Sequence, residues 1–290
     1  MFFFEKSKLL PIAEKLRPAF RDAAPFPFVV LDDFLPSTLA EQLASEFPRD
    51  ARAFVEPSHQ FQRGKRERIQ ESGFVDVSPL TRHLLNEFNS LAFVDFLETL
   101  TGIKGLIPDP HFRGGGLHQV VPGGRLAIHA DFNVDARRKL KRRLNVILYL
   151  NPAWDPQFGG ALELWPADMS ACSHRIPPIL NRCVVFATSE QSYHGHPDPL
   201  ACPDGITRNS LALYYYTALE PGEELRSAST RWRARPGSEE RDGEGERACY
   251  SPWIEGWRRR AKYFAKCWLP PVVTRAAGRY LARRGPFPTN

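Results

Sequence analysis

The chain has 290 residues, 42% hydrophobic and 25% charged, an ordinary globular composition. A single all-β domain often runs to roughly 200–250 residues, so one main domain with additions is expected rather than two equal ones. The formal net charge of +6 is spread along the whole chain, and no nucleic-acid-binding motif accompanies it, so no nucleic-acid partner is expected.

The N-terminal MFFFEKSKLL has too short an apolar run for a signal peptide and no small-residue cleavage pattern. Residues 26–36, FPFVVLDDFLP, read as a strand ended by Asp32, Asp33 and Pro36. A helix follows: Thr38 and Glu41 have capping-box spacing, and Leu39, Leu43 and Phe47 share a face. A second helix starts at Ser78-Pro79, carries an apolar stripe from Leu80 through Phe88 to Leu97, and ends at Gly102. From about 112 to 219 the pattern changes to short β-rich runs between Gly, Pro, Asn and Asp turns: GLHQVV, RLAIHADF, LNVILYLN, GALELW, RCVVFAT and SLALYYYT. That spacing suggests a barrel or double-sheet jelly roll, with Gly159-Gly160 turning between two strands.

The polar stretch after residue 220 reads as a flexible linker over 226–248, and 249–290 reads as a basic, aromatic, helical tail. In the tail, Trp257, Ala261, Phe264 and Trp268 recur at helical spacing among arginines and lysines. It suits packing on the core, or peripheral contact with a membrane surface. No run of roughly 18 apolar residues could span a membrane as a helix. The five cysteines are odd in number and lack a C-x-x-C pair. This argues against a disulfide framework and fits a cytoplasmic protein.

The chemistry lies in the β-rich region. Residues two apart on a strand point the same way, so His129 and Asp131 in RLAIHADF present an imidazole and a carboxylate together. A third ligand from SYHGHP, His194 or His196, would complete the two-histidine, one-carboxylate set that holds Fe(II) with open positions. In ITRNSLALYYYT, Arg208, Ser210, Ala212 and Tyr214 share one face. Deep in a barrel, the planar guanidinium of Arg208 could grip the distal carboxylate of a keto-diacid. Asn145, Ile147 and Tyr149 also share a face, and Tyr149 could add a hydrogen bond to the same carboxylate. The run RRKLKRR at 137–143 reads as a solvated loop able to attract an anionic substrate, with Arg143 as its candidate for the substrate side. His111, His118 and His174 read as ordinary surface or core histidines.

Taken in order, HAD at 129–131, LNVILYLNPAWDPQFGGALELW at 144–165, YHG at 193–195 and RNSLALYYYT at 208–217 resemble the prolyl-hydroxylase-like 2-oxoglutarate/Fe(II) oxygenases. The resemblance spans roughly 26–219. It implies a mainly β fold with flanking helices: a double-stranded β-helix (jelly-roll) core over about 112–219, within an oxygenase domain of residues 1–225 supported by N-terminal helices. It also implies iron at His129, Asp131 and His194, the histidine directly before Gly195. It places 2-oxoglutarate on Arg208 with Ser210 and Tyr149, and makes Asn145 and Gln119 further polar candidates for that pocket. The implied cosubstrates are 2-oxoglutarate and O2, with ascorbate as a stimulant, and the implied products are succinate, CO2 and a hydroxylated C–H. Because Asp131 is present, no vacant position stands in for the carboxylate, which argues against halogenation.

By the same resemblance the substrate is a prolyl residue or amino acid, with a small molecule or lipid-linked saccharide as the alternative. A cupin-type metal hydrolase or isomerase would have no use for Arg208, and a non-catalytic binding module would not need all three ligands.

Overall fold

The computed structural model describes residues 2–49, 61–68, 77–112, 114–135, 138–220 and 229–244. The expected tail at 249–290 lies outside these residues. Helices α1 (Lys6–Asp22), α2 (Ser37–Ser45), α3 (Pro79–Phe88) and α4 (Leu91–Thr101) precede most of the strands, while β1 (Phe28–Leu31) and β2 (Gln62–Arg68) fall between them. Then come β3 (Ile107–Pro108), β4 (Gly116–Ala130), β5 (Val134–Asp135), β6 (Leu140–Tyr149), β7 (Leu162–Trp165), β8 (His174–Ile176), β9 (Cys183–Ala187), β10 (Tyr193–His196) and β11 (Arg208–Ala218). Two short strands, β12 (Arg231–Trp232) and β13 (Gly243–Glu244), follow.

The fold is mainly β, a curled antiparallel sheet of jelly-roll type. Its hydrogen-bonded order is β1-β9-β6-β11-β4-β10-β7-β8. β4 joins the two halves. Its first residues pair with β11 (Val120 opposite Arg208), and its last pair with β10 (His129 opposite His194). Between them Pro122-Gly123-Gly124 redirects the strand; Gly123 has φ +73°, a left-handed conformation costly for other residues.

Strand alternation then sorts the side chains. On β6, β9 and β11, Leu144, Val146, Leu148, Val185, Leu211, Leu213 and Tyr215 join one buried cluster with Phe88, Phe93 and Leu97 of the helices. The opposite faces of the same strands supply Tyr149, Val184 and Phe186 to a second, smaller cluster with Leu162 and Leu164. The helices thus brace the outside of one sheet layer, and the inside is left for the site.

Three expectations change. The single helix expected from Ser78 to Gly102 is two helices. Ser90 caps the second, its hydroxyl accepting the Phe93 N–H at 3.4 Å. The capping box of Thr38 and Glu41 is not used, because α2 begins at Ser37 with Pro36 before it and no side-chain cap. Within the expected linker, Arg231 and Trp232 pair with Ala130 and His129 of β4. The physical reason is internal neutralisation. Arg233 meets Asp242 at 2.7 Å, and Arg235 meets Asp198 at 2.8 Å and Glu240 at 3.1 Å. The charges that made this stretch look solvated bind one another, and Trp232 is buried. Helix α1, with Pro11 and Pro18 inside it, was not anticipated. Among the described residues no helix is long and apolar enough to cross a membrane.

Candidate active site

His129 and His194 face each other across the β4–β10 ladder, with ring centroids 4.6 Å apart. Asp131 completes the group. Its Oδ1 is 3.5 Å from His129 Nε2 and its Oδ2 is 3.5 Å from His194 Nε2. One ligand atom from each of the three lies within 4.8 Å of the others. The imidazoles are preset: Nδ1 of His129 reaches the Ala127 carbonyl and Nδ1 of His194 the Ser192 carbonyl, each at 2.9 Å. A carbonyl only accepts, so each Nδ1 carries the hydrogen and each Nε2 turns its lone pair toward Asp131. This donor set fits a divalent transition metal.

The electrostatics agree. Burial, then repulsion from His129, lowers the His194 pKa to about 4, keeping it a neutral donor. Burial pushes the Asp131 carboxyl up, but the Arg142 charge and the two histidines hold it well below the ordinary carboxylate range.

Gly195, directly after His194, stands where only a glycine fits. A Cβ there would sit 2.7 Å from the Ala127 carbonyl oxygen and 2.8 Å from that of Leu126, so any side chain would push β10 off β4. The register slips by one between His194 and His196. His196 lines the same cavity but stays outside the three-residue group.

A cavity of about 200 Å³ opens beside the three ligands and reaches Arg208 and Ser210. Arg208 is buried, its Nε donating to the Gly160 carbonyl at 2.7 Å and its Nη2 to the Tyr149 hydroxyl at 3.2 Å. Burial lowers the Arg208 pKa and raises that of Tyr149, so the pair is a cation beside a neutral phenol. Gly160 makes room for the arginine. It has φ +70°, and a Cβ on it would meet Leu200 Cδ2 at 2.5 Å and Arg208 Cδ at 3.0 Å. A buried guanidinium lining the same cavity as the His-Asp-His cluster suits a dicarboxylate spanning the two.

The remaining candidates divide. Asn145 lines the cavity, but its amide donates to Asp131 Oδ2 at 2.8 Å and its carbonyl oxygen accepts from Arg142. Gln119 turns the other way, toward the Pro48 carbonyl at 3.3 Å and Thr207 at 3.4 Å, and does not line the cavity. His118, expected to be ordinary, does line it, with Nε2 3.0 Å from the Gly114 carbonyl.

Two residues were missed. Arg142, read as part of a solvated run, is only 2% exposed. It lies 3.5 Å from the Tyr214 ring centroid and 4.7 Å from that of Phe132. Arg143 was the sequence candidate, but it reaches Thr217 instead, at 3.4 Å. Trp232 stacks on Phe61 at 4.9 Å and lies 4.7 Å from the His129 ring, covering the metal ligand. Its one sequence signal is a lone tryptophan in a polar stretch.

Residues 115–216 match the family described as the 2OG-Fe(II) oxygenase superfamily. No curated protein sequence matches the chain. Among solved structures, a prolyl hydroxylase from Trichoplax adhaerens, in complex with a hypoxia inducible factor oxygen degradation domain peptide fragment, is similar. It shares 18% identity over 72% of this chain and 91% of its own, with a TM-score of 0.54. A Pseudomonas putida prolyl-4-hydroxylase shares 23% identity over 71% of this chain and 100% of its own, with a TM-score of 0.49. HygX from Streptomyces hygroscopicus, solved with nickel, 2-oxoglutarate and hygromycin B, shares 13% identity over 72% of this chain and 89% of its own, with a TM-score of 0.46. The jelly roll with its His-Asp-His cluster and the match over 115–216 agree: residues 115–216 are similar to the 2OG-Fe(II) oxygenase superfamily, and the chain shares its fold with the Trichoplax protein.

Proposed function

We propose that His129, Asp131 and His194 hold the Fe(II), that Arg208 with Tyr149 and Ser210 holds the distal carboxylate of 2-oxoglutarate, and that the enzyme hydroxylates a prolyl residue or a free amino acid. One observation carries the site assignment: two imidazole Nε2 atoms converge on one carboxylate, and the cavity beside them is also lined by a buried, tyrosine-bonded arginine. Bound iron, with 2-oxoglutarate and O2, supplies oxidative decarboxylation to succinate and CO2 coupled to hydroxylation of an unactivated C–H bond.

The chain's own residues do the positioning. The Ala127 and Ser192 carbonyls fix the tautomers of His129 and His194. Arg208 offers a buried charged donor, with Ser210 two residues on along β11 and Tyr149 opposite Ser210 on β6. Trp232 and Phe61 cover the His129 side and restrict water there.

Anaerobic Fe(II) with 2-oxoglutarate should give a weak visible charge-transfer band that His129→Ala and Arg208→Ala abolish. A band that survives both changes sinks the site assignment. The prolyl or amino-acid substrate follows the likeness to the Trichoplax protein, which is described with a peptide fragment bound. A small molecule or lipid-linked saccharide is the second reading, supported by the arginines and tryptophans of residues 249–290. A succinate-release screen across peptides, free amino acids and saccharides separates them. For a cytoplasmic protein touching a membrane through that tail, co-sedimentation with anionic liposomes should fall on deleting 249–290. No binding by the intact chain ends that reading.

A further inference from the structure

Both oxygens of Asp131 face the ligand cluster, but they are not equivalent. Oδ2 accepts the Asn145 amide at 2.8 Å and lies 3.0 Å from Arg142 Nη2. Arg142 also donates to the Asn145 carbonyl oxygen, from Nε at 3.0 Å and Nη2 at 2.6 Å, so the three side chains close a ring. The ring cannot slide: the guanidinium is pinned between Tyr214 and Phe132, and Asn145 is fully buried on β6. His194 Nε2 stands 3.5 Å from Oδ2, but its hydrogen is on Nδ1, so it donates nothing there. Oδ1 meets His129 Nε2 at 3.5 Å and, among the described residues, no N–H donor.

We propose that Arg142 and Asn145 are positioning residues that engage Oδ2 and so restrict Asp131 to one metal–oxygen bond, through Oδ1. This inference rests on the iron site assigned above. The reason it matters is a count of positions. Two histidines and one carboxylate oxygen use three of six, a two-point 2-oxoglutarate uses two, and one is left for O2. A carboxylate that chelates through both oxygens removes that last position. A carboxylate oxygen already holding two donors, one of them a cation, is a poor second ligand, since binding metal would mean giving up charge-assisted hydrogen bonds in a buried site.

The test uses nitric oxide as the probe of the last position, with the full-length protein under anaerobic conditions. Wild type with Fe(II) and 2-oxoglutarate should take up nitric oxide and give the spin-3/2 paramagnetic resonance signal of a ferrous nitrosyl. Arg142→Met with Asn145→Ala should bind Fe(II) within about threefold of wild type, or more tightly, while nitric oxide uptake falls at least tenfold. Arg142→Lys, which keeps a charged donor, should restore a substantial part of it. Asn145→Ala alone gives the same readout in a smaller measure if the double variant does not fold. The proposal is overturned if the variants take up nitric oxide like wild type. It is equally overturned if Fe(II) binding and the thermal midpoint collapse together, which would make the ring a fold support only. Wild type without a charge-transfer band would instead overturn the iron assignment itself, so the two failures are distinguishable.

Discussion

Strands β6, β9 and β11 have two faces, and the two carry different duties. The outer face is apolar and packs on the helices; Tyr215, for example, has its ring 6.1 Å from Phe93 of α4, which lies 4.9 Å from Phe4 and 4.8 Å from Phe88. The inner face carries Arg142, Asn145, Tyr149, Arg208 and Ser210, buried polar groups tied by specific hydrogen bonds. Dispersion and area sum over many partners, so the outer face should lose stability when truncated but keep its chemistry. Each inner group has few partners in low dielectric, so one change should cost function far more than stability.

The largest effect should come from the helix packing against the outer face. Phe93→Ala should lower unfolding free energy by about 3–5 kcal/mol in urea titrations, with succinate formation per folded molecule unchanged at low temperature. A large fall in turnover by the folded fraction would break the division of duties. Gly160→Ala comes next: it must crowd Arg208 and hold an alanine at φ +70°, costing about 1–2 kcal/mol of stability. The 2-oxoglutarate KM should rise tenfold or more, and an unchanged KM would mean that Arg208 has room to spare. Trp232→Ala should weaken Fe(II) binding by the folded protein several-fold by uncovering His129, and should lower the thermal midpoint in calorimetry as a buried aromatic is lost.

The smallest effect is a pH slope. His194 titrates at about 4 in the folded protein against 6.5 ordinarily, so the unfolded chain takes up a proton first as pH falls. This contribution to stability is complete above pH 6.5 and is lost progressively toward pH 4. Asp131 adds its own loss only below the usual carboxylate range. Metal-free protein should therefore show a falling thermal midpoint between pH 6.5 and 4, steeper with saturating Zn(II), whose binding needs neutral imidazole. Phe93→Ala should lower the whole curve without changing its slope.

Much of this arrangement was legible in the chain. The spacing of His129 and Asp131 on one strand, and of Arg208 and Ser210 on another, needs only the two-residue period of a strand. The choice between His194 and His196 did not follow from spacing, since both lie in one short strand. What favours His194 is tertiary: it pairs opposite His129 across the β4–β10 ladder and groups with His129 and Asp131, a contact between distant segments. The hairpin at 231–244 was unreadable for a similar reason: its acids and bases look solvated until the fold brings Asp198 and Asp242 to the arginines.

Sequence by itself determined the strand pattern, the two paired motifs and the family they resemble, because local period and residue type suffice for those. Arg142 shows what it could not determine. Asn145 and Ile147 line the cavity and Tyr149 reaches Arg208 from the same face, so simple alternation points Arg143 the same way. The ladder slips there: Tyr215 pairs with Leu144 but Tyr216 pairs with Arg142, leaving Arg143 as an extra residue on β6. One bulged residue inverts the alternation before it. Only the pairing with β11 decides that Arg142 is the arginine beside Asp131.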